Sequence, residues 1–328
     1  MKLTATLLTI LTFGLFANAT VITVSNTPNS PAQYTDLQTA INAATAGDTL
    51  YVSGSSANYG DIVIDKQLVL MGTGFNPQKE FPFVSSFGQI DFQMGSSGSI
   101  ISGFNFSNNV NGAVANIQIR RCTFQSLNVT GTNWLIENNF VNYFIDCGNS
   151  FNLVINNNFI SGQINNSSLP NFILSNNLFF TAGGGILLNN ITNANIVNNI
   201  FYGAHTGGVS NSVFNNNLTF NSLQNTLPYG TNTGNGNLSN QDPQFTTIQT
   251  LGYNFSAFDD YRLLPASPGH NAGTDGTDIG PFGGSSPFLS SPIGGEPKIP
   301  QVKNMNLSNT TYPLNGNINL NVKGKKQD

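Results

Sequence analysis

The hexamers 101-ISGFNF-106, 119-IRRCTF-124, 136-IENNFV-141, 155-INNNFI-160, 174-LSNNLF-179, 196-IVNNIF-201 and 214-FNNNLT-219 start 18, 17, 19, 19, 22 and 18 residues apart. A recurring unit of this size, apolar at its first and usually at its sixth position, is the mark of a solenoid with one coil per unit. With the hexamer numbered 0 to 5, positions 0 and 5 are expected to face inward. Position 2 holds Gly103, Arg121, Asn138, Asn157, Asn176, Asn198 and Asn216. Glycine and asparagine accept a left-handed backbone cheaply, so position 2 is the expected bend, with Arg121 the exception. Position 3 holds Phe104 and Cys122, then asparagine in the other five units. Sharing a column with Phe and Cys implies burial, and stacked asparagines can satisfy one another coil after coil. Short β-branched and aromatic runs without helical periodicity predict parallel strands, hence an all-β parallel β-helix.

The flanks predict the ends of the stack. Residues 1–19 carry Lys2, an apolar run over 7–16 and Ala17-Asn18-Ala19, the pattern of a signal peptide. Thr35 with Gln38 reads as a capping box opening a helix to about Ala46, which would plug the apolar end of the stack. The β-helix domain is expected over 20–284, with Asp278-Ile279-Gly280 closing the stack. A Pro/Ser/Gly linker follows over 285–300, then a tail over 301–328 whose two alternating stretches predict a β-hairpin. Beyond the leader no apolar stretch is long enough to span a bilayer. Charged residues make up 8% of the chain and the net charge is −4, which argues against nucleic acid as a partner. Cys122 and Cys147 are expected to be free and buried, and the chain to be monomeric.

The segments "AGDTLYV", "LVLMGTGFNP", the "IxNNxF" repeats and "SPGHNAGTDGTDIGPFGG" resemble secreted right-handed parallel β-helix proteins of the pectate-lyase-like fold, in their poorly characterised bacterial branch. The resemblance covers most of Thr20 to Gly284. It implies a right-handed coil and an extracellular or cell-surface location. The fold hosts lyases, glycosidases, adhesins and binding proteins, so function must be argued from a site.

A lyase of that fold needs carboxylates for Ca2+ and a strong base beside them, and a glycosidase needs two or three convergent carboxylates. Between Phe92 and Gln241 the ionised candidates are Arg120, Arg121, Glu137 and Asp146. Arg120 and Glu137 share position 1 of adjacent coils and are expected to pair outward; Asp146 is expected on another face. No metal or other cofactor is expected, Ca2+ entering only with a lyase. A C-terminal cluster of Asp259, Asp260, Arg262, His270, Asp275 and Asp278 is expected to serve turns.

Position 6 should face outward and reads Ser107, Gln125, Asn142, Ser161, Phe180, Tyr202 and Phe220. An exposed stripe of Phe180, Tyr202 and Phe220, continued by Asn142 and Gln125, would suit the apolar faces and hydroxyls of a polysaccharide. Starting the last unit at Val213 puts Thr219 in the column instead, and a covering loop would turn the stripe into satellite core. The expected function is a secreted, non-catalytic glycan-binding or cell-surface/matrix protein. The alternatives are an extracellular polysaccharide lyase or glycoside hydrolase, and a purely structural or adhesive rod.

Overall fold

The structure, a computed structural model, describes residues 19–76, 83–148, 150–168, 171–181, 187–250, 252–288, 301–307 and 320–325. The expected signal peptide lies outside them except for Ala19, as does most of the linker. The chain coils into a parallel β-solenoid with three strand-lined faces. The first sheet stacks ten parallel strands, from Val21–Val24 through Gln118–Arg120 and Leu135–Glu137 to Val213–Asn215. The second includes Phe104–Phe106, Phe159–Ile160, Leu178–Phe180, Ile200–Tyr202 and Leu218–Phe220. The third runs from Ile62–Ile64 and Ile90–Phe92 through Asn109–Gly112 to Gln163–Ser167, Leu188–Thr192 and Val209–Ser210. Two longer strands, Thr123–Val129 and Phe140–Asp146, pass from second sheet to third, with a register shift after Phe124 marking the corner.

Position 0 stacks in register down the first sheet, and its seven residues are fully buried. Position 5 stacks and is buried in the second. Between them position 2 bends through the left-handed region at Gly103, Asn138, Asn157, Asn176, Asn198 and Asn216, and at Arg121 too, with φ 50°.

Position 3 forms the inner ladder. Asn139, Asn158, Asn177, Asn199 and Asn217 are fully buried, and each side-chain amide donates to the Oδ1 of the next at 2.9–3.1 Å. Each Nδ2 also donates to a position-0 carbonyl of the preceding coil, as Asn158 does to Ile136 at 2.9 Å, and each Oδ1 accepts a backbone N–H. The ladder continues to Asn237, in the stretch where the hexamer pattern fades. Cys122 ends it at the other side, its Sγ standing where an Oδ1 would and accepting from Phe104 N at 3.5 Å. Both cysteines are free and buried.

The helix is Leu37–Ala43, and it buries Leu37, Ala40 and Ile41 against the first coil. Its N-cap is Asp36, which accepts from Thr39 N at 2.7 Å, so the expected Thr35 cap is one residue early. Asp outcompetes Thr here because its carboxylate reaches the helix N–H groups with a full charge. Gln38 does not reach back to close a capping box. Its amide bridges outward, accepting from Val63 N at 2.8 Å and tying the helix to the third sheet. A strand not anticipated from the sequence, Val21–Val24, precedes the helix and pairs in register with Thr49–Val52.

The C-terminal region departs from expectation in its path. Residues 278–280 do not sit across the end of the stack. Residues 272–286 run back along its side as a strap, held by the side-chain amides of position 2. Asn216 donates to Ala272 O, Asn198 to Thr274 Oγ1, Asn157 to Pro281 O and Gly283 O, and Asn138 to Ser286 O, at 2.8–3.1 Å. The left-handed bend turns these amides away from the core, so the residues that shape the corner also hold the strap. The tail forms an antiparallel pair, Gln301–Leu307 with Leu320–Lys325, in agreement with the expected hairpin.

Candidate functional site

Phe180, Tyr202 and Phe220 do align, each facing the next in neighbouring strands, and Phe220 rather than Thr219 holds the last place. Their exposure differs from expectation. Phe180 is fully buried, and Tyr202 and Phe220 are half-buried. The cause lies in position 4, which also faces outward on the second sheet and reads Phe140, Phe159, Leu178, Ile200 and Leu218. Two adjacent outward columns of apolar residues make a face too hydrophobic to leave in water. Residues 245–250 and 252–288 cover it. Phe255 stacks on Phe140 with centroids 3.9 Å apart, Tyr261 sits edge-on to Phe180 at 5.2 Å, and Tyr253 meets Tyr202 at 4.7 Å. Burial lifts the Tyr202 and Tyr261 phenols above their ordinary value. Of the amides expected to extend the stripe, Gln125 is exposed, and Asn142 folds back to donate to Thr123 Oγ1 at 3.2 Å.

The ionised candidates fall on two faces. Arg120 and Glu137 are register partners on the first sheet, Nε to Oε2 3.4 Å, and Glu137 is 7% exposed. Asn156 donates to Glu137 Oε1 at 3.2 Å and Ser175 to Asn156 Oδ1 at 2.8 Å, so the pair heads a polar chain across four coils. Arg121 is partly buried at the bend, and burial, then the neighbouring Arg120, pulls its guanidinium below its usual value. Asp146 lies on the third sheet. In the C-terminal cluster Asp260 pairs with Arg262, His270 Nδ1 lies 2.8 Å from Asp278 Oδ1, and Asp275 accepts from Thr277. Asp260 and Asp275 each accept from a backbone N–H two residues on, while Asp259 and Asp278 reach farther, to Gln249 N and Asn271 N. Among the described residues no three His, Cys, Asp or Glu side chains gather as a metal site, and no helix is long and apolar enough to cross a membrane.

The third sheet presents a different surface. Register places Asp91, Asn111, Asn128, Asp146, Asn165 and Asn189 in one column. Their strand neighbours Ile90, Val110, Leu127, Ile145, Ile164 and Leu188 are fully buried, so the column faces out. Asn111 donates to Asp91 at 3.1 Å and Asn128 to Asn111 at 2.8 Å. One step along the strands lie Asn109, Ser126, Phe144 and Gln163. Tyr143 stands at the corner beside them, 67% exposed, its ring 5.4 Å from that of Phe144. No protein-family model matches the chain, and no curated protein matches it. The site must therefore be weighed on geometry.

Asn111 spends one N–H on Asp91 and one lone pair on Asn128, and so keeps a donor and an acceptor for solvent or ligand. The strands set these groups about 4.8 Å apart. A surface of this kind can hold hydroxyl groups; it offers no convergent acid and base. Sequence reasoning missed it because it followed the hexamer alone. The signal was the Asx recurring 17–20 residues apart at Asp91, Asn111, Asn128, Asp146 and Asn165.

Proposed function

We propose that this protein is a secreted, non-catalytic β-helix that binds polysaccharide at the cell surface or in an extracellular matrix. The observation that carries the reading is the outward Asx column of the third sheet beside the exposed Tyr143. The separation of Arg120 and Glu137 from Asp146, on different faces, weighs against a lyase or glycosidase. The N-terminal leader pattern and the resemblance to secreted pectate-lyase-like β-helices support the extracellular setting.

The test is affinity electrophoresis of the protein through neutral and acidic polysaccharides, with and without Ca2+, read alongside reducing ends and ultraviolet absorbance of unsaturated products. Retardation without cleavage is expected. New reducing ends or unsaturated products would overturn the reading and direct attention to Arg120, Arg121 and Glu137. The covered aromatic stripe favours a second reading, a purely structural or adhesive rod, which retardation by none of the polymers would select.

A further inference from the structure

We infer that the outer face of the third sheet, along Asn111, Asn128, Asp146 and Asn165 and beside Tyr143 and Phe144, takes a neutral polysaccharide laid along the rod axis. This rests on the glycan-binding reading and adds the face, the direction and the ligand class.

Direction follows from the repeat. A polar side chain, amide or carboxylate, recurs about every 4.8 Å up the stack, close to the advance of one pyranose unit in an extended chain, so one sugar can meet one coil. Asn111 and Asn128 are held before any ligand arrives, because their hydrogen bonds fix their rotamers and lower the entropy lost on binding. The aromatic pair supplies what the amides lack. Tyr143 and Phe144 offer ring faces for the apolar C–H surface of a sugar while neighbouring amides take its hydroxyls. Ligand class follows from charge. The column carries Asp91 and Asp146 and no lysine or arginine, so a uronate polymer would meet like charge, whereas neutral hydroxyls match a row of amides. The second sheet cannot serve, since residues 252–288 lie on it.

The corner ladder provides an internal control. Asn133, Asn152 and Asn171 are chained by the same amide bonds at 2.7–2.9 Å, but at a bend away from Tyr143. The full chain and the variants Tyr143→Ala, Asn128→Ala and Asn133→Ala are run through gels containing a soluble β-glucan, a galactomannan, a neutral xylan or polygalacturonate. At least one neutral polymer should retard the wild type, at low and high salt alike. Tyr143→Ala should weaken that retardation about tenfold, Asn128→Ala should weaken it as well, and Asn133→Ala should leave it unchanged. Circular dichroism and melting monitor folding, and Tyr143→Ala decides alone if Asn128→Ala melts early. Retardation of Tyr143→Ala equal to wild type would overturn the face while glycan binding stands. Retardation by polygalacturonate alone would overturn the ligand class. No retardation of the wild type would remove both this inference and the reading beneath it.

Discussion

Asn158 shows what one residue of the inner ladder does. Its amide donates to Ile136 O, to Asn156 O and to Asn177 Oδ1, and its oxygen accepts both the backbone N–H and the side chain of Asn139. Replacing it with alanine strands these groups in a dry interior, at about 1–3 kcal/mol for the groups left unpaired. Asn158→Ala should therefore lose about 3 kcal/mol in a urea titration. Cys122 supplies the converse test. An asparagine there would find Phe104 N, Ile101 O and Asn139 Oδ1 already in place, since the thiol contacts the first two and Asn139 Oδ1 faces it from the next coil. Cys122→Asn should leave the urea midpoint unchanged or raise it, and a clear fall would show that the ladder does not extend past Asn139. This much was legible from the hexamer, because Phe, Cys and Asn sharing a column have burial in common and little else.

At the level of elements, the strap is held by polar and apolar grips together. Gly280 lies at φ +94°, and a Cβ there would come within 2.7 Å of Ile200 Cδ1. Gly280→Ala should cost ~2 kcal/mol and increase binding of a hydrophobic dye as the face holding Phe159 and Phe180 opens. A variant with unchanged melting and no added dye binding would show that the strap tolerates the intrusion. The strap was hard to foresee for a physical reason. Adjacent apolar residues in a strand, as in Phe159-Ile160 or Leu178-Phe179, point to opposite sides and signal cover on both. The hexamer therefore announced a second apolar face. The chain that covers it lies dozens of residues downstream, with no repeat to mark it. A second link joins elements at the other end. Asp48 accepts from the N–H and hydroxyl of both Thr20 and Thr45, tying the first strand to the helix exit, and the Thr20 N–H chiefly holds its carboxyl down at about 2. Since the folded value lies below the unfolded one near 3.9, this stabilisation is full above about pH 4 and fades as pH falls toward 2. Asp48→Asn should flatten the stability profile in that window.

Across the whole molecule, cohesion comes from stacked apolar residues and amides rather than from charge. The described residues hold four ion pairs, one of them through histidine, at Asp65–Lys66, Arg120–Glu137, Asp260–Arg262 and His270–Asp278. In each pair one side chain is about a third or more exposed, which limits its contribution to about 1 kcal/mol. Unfolding free energy should thus shift by no more than ~4 kcal/mol in all between low and high sodium chloride, measured by urea titration; a larger fall would mean that these pairs matter more than their exposure suggests.

The inner and the corner asparagine ladders have a joint effect on the rod. The inner one donates toward the C-terminal coil at every step, an orientation secured by the backbone groups that flank each amide. The corner ladder donates toward the N-terminal coil, from Asn133 to Asn116, Asn152 to Asn133 and Asn171 to Asn152. Each is a file of aligned dipoles, and the two files are antiparallel. Their fields oppose along the axis, so each ladder offsets part of the dipole that the other would build up coil by coil.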